Sequence, residues 1–455
     1  VRHLLLLTAL LTIPGVASAQ AVRGVVIGRG DSVGVSGAVV LLLDAAGGVA
    51  ARALTNERGE FRLGAPGAGT YRIRAMRIGY RPVLTAAVRL AADQELMHPA
   101  IVAGTTVTLD TVRVVGRNVC RVYGDSAVAT YALWEQARTA LTAADLTARA
   151  RTMAATIVTY ERSTEPSSGK IRQQSAGIRS GFTARPWTTR NTDSLRTHGY
   201  IETTPHGWVT YYAPDLEVLL SGAFLEDHCF RIARSSNAQQ VGLEFEPVEA
   251  RREMPEIRGI VWLDRKSAEL RRMEFRYTNV LREQERHGAG GEMDFVRMKN
   301  GAWAISRWHI RMPVLIERPA SEPSLVPGMP ARPERRVTDI RIAGGEIALV
   351  ALGSDTIWSR PPLAFHGTIV DSASGAAVPG ARVALRGTNL SDTTDAAGRF
   401  RIAGVLPGEY WMEVSTPAMD SLDLRQHAEI VFADESVPTL FRLRKRALFH
   451  GFVLA

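Results

Sequence analysis

Val35-Ser36-Gly37-Ala38-Val39-Val40, then Thr55-Asn56-Glu57-Arg58-Gly59-Glu60-Phe61-Arg62-Leu63, then Gly69-Thr70-Tyr71-Arg72-Ile73: this succession recurs near the far end of the chain. The second copy reads Val378-Pro379-Gly380-Ala381-Arg382-Val383, Thr394-Asp395-Ala396-Ala397-Gly398-Arg399-Phe400-Arg401-Ile402 and Gly408-Glu409-Tyr410, and each copy opens on a glycine, Gly24 or Gly367. Turn residues and aromatics in the same order with nearly the same gaps imply one fold used twice. In Tyr71-Arg72-Ile73-Arg74-Ala75 apolar side chains alternate with arginine, the period of a strand with one face in a core and one in water. Gly59 and Gly398 each follow a short polar stretch and precede a Phe-containing strand, where a hairpin needs positive φ. A β-branched residue at either is expected to damage its module. Neither copy carries catalytic residues of its own, so function is expected in what the two hold between them.

The 455 residues, 45% hydrophobic and 22% charged, lie within globular norms and allow about three domains. Val1-Arg2-His3, the apolar run Leu4 to Ile13 and the small-residue site Val16-Ala17-Ser18-Ala19 predict a secretory signal peptide over 1–19, cut after Ala19. That run is too short to span a bilayer, no later stretch reaches the required length, and no cysteine sits at the cleavage site. The mature chain is therefore expected to be exported and free of transmembrane segments, in the periplasm or at the outer membrane or cell surface. In such an oxidising space Cys120 and Cys229 read either as a disulfide or as two buried thiols. A bridge closing about a hundred residues would stabilise by about 4 to 5 kcal/mol in the chain-entropy model. The net charge of +9 comes almost wholly from arginine. Those arginines are interspersed with acids, as in Glu269-Leu270-Arg271-Arg272-Met273-Glu274-Phe275-Arg276, with no basic aromatic track, so nucleic acid is not expected as a partner.

Between the repeats the pattern changes. Residues 106–117 are extended and β-prone. Val128, Tyr131, Trp134, Ala137, Leu141 and Leu146 then recur at helical spacing from Ala127 to Met153, and a second helix is predicted over Asp215 to Phe230. Strands are expected at Thr156 to Arg162, Ser175 to Thr183, Trp208 to Tyr212 and Val241 to Val248, with a hairpin from Gly259 to Tyr277. Arg318 to Arg335, with five prolines, reads as a mobile loop. The fold class is thus mainly β with an α+β centre. The domains are 1–19 signal peptide, 20–105 first β-sandwich, 106–117 linker, 118–355 antiparallel-sheet domain and 362–445 second β-sandwich.

The pattern V-x-G-A-x-V, T-x-x-x-G-x-F, G-x-Y, present in both copies, resembles the carboxypeptidase regulatory-like domain. That resemblance implies a seven-stranded sandwich akin to transthyretin (prealbumin) and to starch-binding modules, the carbohydrate-binding-like fold. Gly79-Tyr80 keeps the family pattern in the first copy, and Pro417-Ala418-Met419 departs from it in the second. The zinc carboxypeptidases that lend the family its name use a His-x-x-Glu pair, which none of the ten histidines here forms. Leu109-Asp110-Thr111-Val112-Arg113-Val114 resembles the box by which TonB-dependent outer-membrane receptors engage their partner. It implies β-augmentation through Asp110, Thr111, Val112, Arg113 and Val114. The same residues also suit an ordinary strand or linker, and the chain beyond Arg117 lacks the many-stranded barrel of a receptor.

Gly259 to Asp264 and Asn300 to Trp308 are similar to periplasmic lipoprotein-carrier-like proteins, whose curved sheet cups a helix and shelters acyl chains. Trp262, Met273, Phe275, Trp303 and Trp308 would suit such a cavity, and equally a plain core. Cys120 with Trp134-Glu135, and Tyr211-Tyr212-Ala213-Pro214-Asp215 with His228-Cys229-Phe230, resemble exported proteins that join a regulatory-like domain to such a segment. That resemblance implies the architecture and the disulfide, and no activity.

No Gly-x-Ser-x-Gly elbow, phosphate loop or dinucleotide fingerprint occurs. Ser167 to Lys170 has nucleophile spacing in a loop, Glu226-Asp227-His228 are neighbours that cannot face one metal, and Asp264 with Glu269 flanks a turn. No catalytic, metal or cofactor residue is therefore named. The expected function is a non-catalytic, exported cell-envelope binding or scaffold protein with an envelope protein partner. The alternative is a carbohydrate- or lipid-binding periplasmic protein associated with TonB-dependent uptake, its glycan or lipid ligand met by exposed Trp187, Trp208 or Trp411.

Overall fold

A computed structural model describes residues 20–107, 125–150, 152–182, 185–204, 209–318, 334–360, 363–422, 424–433 and 438–443. The signal-peptide reading, Asp110 to Val114, Cys120, Trp208 and residues 319–333 of the proline-rich loop fall outside these residues, while the loop's predicted ends, Arg318 and Glu334-Arg335, belong to strands. The chain divides into two compact units, Val1–Thr106 and Val107–Ala455.

The first unit is a β-sandwich of β1 (Ala21–Ile27), β2 (Val39–Leu43), β3 (Val49–Leu54), β4 (Glu60–Gly64), β5 (Gly69–Met76), β6 (Val83–Leu84), β7 (Val88–Leu90), β8 (Glu95–Met97) and β9 (Ile101–Val102). One sheet runs β4-β1-β8, with β8 parallel to β1 and β9 also on β1. The other runs β3-β2-β5-β6 with β7 on β5. Two-residue β6 and β9 are additions to the seven strands expected. Tyr71, Ile73 and Ala75 point into the core with Val22, Val40, Leu42, Phe61 and Leu63, and the intervening arginines point out.

The second unit opens with α1 (Asp125–Arg149) and a ten-stranded antiparallel sheet. Its strands are β10 (Ala154–Thr164), β11 (Ile171–Ser180), β14 (His228–Ala233), β15 (Gln240–Pro247), β16 (Glu256–Asp264), β17 (Leu270–Thr278), β18 (Gly290–Arg297), β19 (Trp303–Arg318), β20 (Glu334–Leu352) and β21 (Asp355–Ser359). The hairpin of β12 (Ile201–Thr203) and β13 (Val209–Tyr211) stands apart from it. The order β11-β10-β20-β19-β18-β17-β16-β15-β14 places the earliest strands beside the latest. Cross-strand pairing puts Leu243, Val261, Met273, Met293 and Trp308 on one face, all buried. The opposite face carries Arg231, Glu244, Glu274, Arg272, Glu292, Asp294, Arg307 and His309 in ion-paired or hydrogen-bonded ladders.

The apolar face receives α1, α2 (Thr192–His198), α3 (Leu216–Leu220) and α4 (Gly222–Asp227), and α5 (Arg282–Arg286) lies against β17, β19 and β20. Along α1 the apolar stripe starts later than its spacing predicts. Val128 is 71% and Tyr131 62% exposed, and burial begins with Leu133, Trp134, Ala137 and Leu141. Enclosed on almost every side, the middle of α1 also buries threonines; Thr139 and Thr142 donate to the Glu135 and Arg138 carbonyls one turn back. The helix predicted over Asp215 to Phe230 is two short helices and a strand. Asp215 caps α3, Ser221 ends it and caps α4 by accepting from Phe224 N, and the chain becomes extended at His228.

The chain then enters the second sandwich: β22 (Ala364–Asp371), β23 (Arg382–Leu385), β24 (Ser391–Thr393), β25 (Arg399–Ala403), β26 (Gly408–Ser415), β27 (Gln426–Phe432) and β28 (Thr439–Leu443), with α6 (Pro417–Asp420). Its sheets, β25-β22-β28 and β24-β23-β26-β27, repeat the first module down to the parallel last strand.

Each residue of the repeat is used by the fold. Gly24 and Gly367 sit opposite Phe61 and Phe400, where a Cβ would come within 2.7 and 3.0 Å of the ring. Thr55 accepts from Ala38 N and donates to Val35 O, and Thr394 does the same with Ala381 N and Val378 O. The side chains of Asn56 and Asp395 each knit the following turn by accepting two backbone N–H groups. Gly59 (φ 76°) and Gly398 (φ 73°) close those turns, a Cβ there lying 2.4 Å from Val26 O and 2.5 Å from Ile369 O. Tyr71 and Tyr410 donate to carbonyls four residues back, at Gly67 and Leu406. The modules diverge at the departure noted in sequence: Gly79 (φ 81°) sits in a turn closed by Tyr80 N donating to Arg77 O, and Tyr80 bridges Thr106, whereas Thr416 caps α6.

Candidate binding groove and its surroundings

Helices cover the apolar face of the large sheet toward β14–β19, with α5 also touching β20. Toward β10, β11 and β20 the same face is open, and the loop before α2 walls it into a groove of about 980 Å³. Its floor is Ile157, Thr159, Trp308, Ile310 and Ala343; Trp187 and Tyr211 stand at the wall, with Glu161, Ser175, Arg179 and Arg185 toward solvent. The floor owes its shape to Gly344-Gly345 in β20. A Cβ on Gly345 would lie 2.5 Å from the Trp308 ring, and one on Gly344 2.6 Å from the Tyr160 ring on the opposite face. The indole N–H of Trp187 donates to Pro214 O, and the Tyr211 hydroxyl donates to Pro313 O while accepting from Gln284. Burial pushes the Tyr211 hydroxyl up to about 12. With these polar ends committed internally, both residues offer ring surface to the groove. Arg185 is paired with Asp215 and Glu217.

The aromatic stripe read from sequence divides. Met273, Phe275 and Trp303 are core, Trp308 is core that also floors the groove, and Trp262 lies on the polar face with its indole donating to Glu274. Of the three tryptophans named for a ligand platform, Trp187 is buried at the groove wall and Trp411 is covered by the Lys170 ammonium, 4.7 Å from its ring centre. Ser167 to Lys170 is a turn in which Lys170 pairs with Glu429 and Ser168 bonds Glu165. Asp264 accepts from Lys266 N and Ser267 N and, with Glu269, binds Arg271.

Cys229 is half-buried on β14, and no described cysteine is free. Its neighbours diverge: Glu226 and Asp227 pair with Arg196, while His228 turns inward. There it stacks on Phe224 and lies 3.6 Å from Glu256, which Arg251 binds through Nε and a terminal nitrogen. Arg251 also reaches Asp227 and the carbonyls that end α2. Burial lowers the His228 pKa to about 4 and raises that of Glu256 to about 7, Arg251 opposing the latter. This network, like the Gly344-Gly345 seat, escaped the sequence reading; two adjacent glycines inside a strand were the available signal for the seat. Among the described residues no group of three or more His, Cys, Asp or Glu is placed to hold a metal ion, and no helix is long and apolar enough to cross a membrane.

The carboxypeptidase regulatory-like domain model matches residues 21–112 and 364–430, the two sandwiches. The chain contains two carboxypeptidase regulatory-like domains. No curated protein matches it. Among solved structures, a variant of the major pilin subunit of Bacillus cereus aligns at 7% identity over 93% of this chain and 99% of that one, with a TM-score of 0.16. The Bacillus anthracis TIE protein aligns at 8% over 94% of this chain and 50% of that one, with a TM-score of 0.17. A streptococcal ancillary pilin aligns at 9% over 94% and 99%, with a TM-score of 0.15. Overlaps this poor lend nothing to the reading of fold or function. In the regulatory-like domains the repeated residues serve turns and packing, which leaves the groove of the central sheet as the candidate site.

Proposed function

We propose that this chain is a non-catalytic, exported cell-envelope protein that binds or scaffolds other molecules, with the groove over β10, β11 and β20 as its binding face. The observation that carries the reading is that groove: concave, of ligand-binding size, floored by apolar and aromatic side chains and rimmed by a few charged ones. Export rests on the leader-like residues 1–19, and a Cys120–Cys229 disulfide, suited to an oxidising compartment, belongs to the same proposal. Envelope placement, in the periplasm or at the outer membrane or cell surface, belongs to the same proposal, as does an envelope protein met through Asp110 to Val114.

A second reading, a glycan or lipid ligand, is favoured by Trp187 and Tyr211, whose rings face the groove with their polar atoms engaged elsewhere. Native mass spectrometry of the unreduced protein from an envelope fraction, before and after mild denaturation, tests both. A bare mass two hydrogens light is the expected result for the scaffold reading with its disulfide. A lipid or glycan released on denaturation establishes the second reading in its place, and a mass showing two free thiols removes the disulfide.

A further inference from the structure

The polar face of the central sheet holds a feature that the groove does not use. Register places Arg258, Arg276, Gly290 and Arg311 in one row across β16, β17, β18 and β19. With no side chain on Gly290 between them, the two arginines on either side reach toward each other. Both converge on Gly288, where a Cβ would lie 2.5 Å from an Arg276 nitrogen and 3.8 Å from Arg311 Nε. Arg276 donates to Gly288 O at 3.0 Å and Arg311 to His287 O at 2.8 Å. Each guanidinium is anchored by one such bond, and no other hydrogen bond engages it among the described residues.

Four other arginines on this face are neutralised, Arg231 by Glu244, Arg272 and Arg307 by Asp294 and Arg258 by Glu285 at 3.8 Å, and Arg162 is bound by Gln174, Pro407 O and Tyr410. Arg276 and Arg311 have no carboxylate within 4.0 Å among the described residues. The acids lining the same cavity of about 310 Å³ are otherwise engaged, Glu244 by Arg231, Glu274 by the Trp262 indole and Glu292 by Arg272 and His309. Burial and the neighbouring Arg276 charge both lower the affinity of Arg311 for its proton, as expected of a half-buried arginine beside an exposed one with no carboxylate of the described residues within 4.0 Å. Two like charges held together by backbone bonds repel until an anion joins them, and guanidinium forks suit oxyanions with two or more acceptor oxygens.

We propose that Arg276 and Arg311, with Gly288 and Gly290 making room, form a binding site for an oxyanion group, carboxylate or phosphate.

The test is calorimetric titration of the full chain, at low ionic strength, with inorganic phosphate and separately with acetate, which distinguishes the two oxyanions. Saturable binding of at least one is expected, about tenfold or more weaker in R276Q and in R311Q. R52Q, which removes an exposed arginine of the first sandwich, is expected to bind as the parent does. Arg276 is exposed, so R276Q stands as the folded variant if R311Q misfolds. Absence of saturable binding of both probes overturns the proposal, as does binding that R276Q leaves unchanged or that R52Q weakens equally.

Discussion

The His228–Glu256 contact joins two buried groups whose proton affinities move in opposite directions. In the fold His228 holds its proton less tightly than in the unfolded chain, so its contribution rises with pH from about 4 to its ordinary value near 6.5. Glu256 holds its proton more tightly, so its contribution falls as pH rises from 4.5 to about 7. Across the shared window the two slopes oppose each other, and the parent's stability is expected to vary little with pH. Glu256→Gln removes the falling term, and urea unfolding of that variant should show stability increasing from about pH 4 to 6.5. His228→Phe should show stability decreasing from 4.5 to about 7. Parallel pH profiles for the two variants would mean that these groups do not titrate as an opposed pair. Nothing in the sequence announced this pair, because His228 and Glu256 meet only after β14, β15 and β16 have come into register.

At the scale of elements, the telling contact is between β11 and the second sandwich. Ile171 opens β11 in the central sheet, yet it is 4% exposed among Ile369, Tyr410 and Met412 of the sandwich core, with its Cδ1 2.9 Å from where a Cβ on Gly408 would lie. Gln174 N donates to Gly387 O, Arg162 to Pro407 O, and Lys170 pairs with Glu429. The domain that looked separable in sequence thus borrows a core residue from its neighbour. Ile171→Ala should lower the stability of the second unit by about 3 kcal/mol, the range for truncating a buried isoleucine. Circular dichroism melting checks the loss. A change within about 0.5 kcal/mol would mean that the side chain is not core to the sandwich.

What was legible in sequence follows this distinction. Gly24, Thr55, Gly59, Phe61 and Tyr71 act through partners within the same module, so their spacing carried the fold. The groove is built from Ile157, Trp187, Tyr211, Trp308 and Gly344, which lie on separate elements and form no motif. Ile171 lies before the strand expected at Ser175 to Thr183, and its core partners are on β22 and β26, far along the chain.

For the whole molecule, the division at Thr106 has a thermal consequence. The first sandwich has its own core, whereas the second shares one with the central sheet. Calorimetry should therefore resolve two transitions. Gly59→Val, which forces a β-branched residue into positive φ against Val26 O, should lower one of them by about 10 °C for a loss of about 2 kcal/mol in a domain of that size. Gly398→Val should lower the other. A single transition moved by both substitutions would show that the two units melt as one.

The strand order bears also on how the chain acquires its shape. β10 is hydrogen-bonded along its length to β20, and Thr164 lies 176 residues from its partner Ile340. As the polypeptide is made, β10 and β11 pair with each other as a hairpin and then wait, with a bare edge and an unfilled apolar side, until nearly all of the central sheet has followed. Contacts so distant in sequence slow the search for the native state and lengthen the interval in which a naked edge can meet another chain. The same β20 that closes the sheet carries Gly344-Gly345, so the seat for Trp308 appears only with the last long strand. The groove floor is thus complete only once β20 has joined the sheet, and a chain lacking that strand presents no such groove.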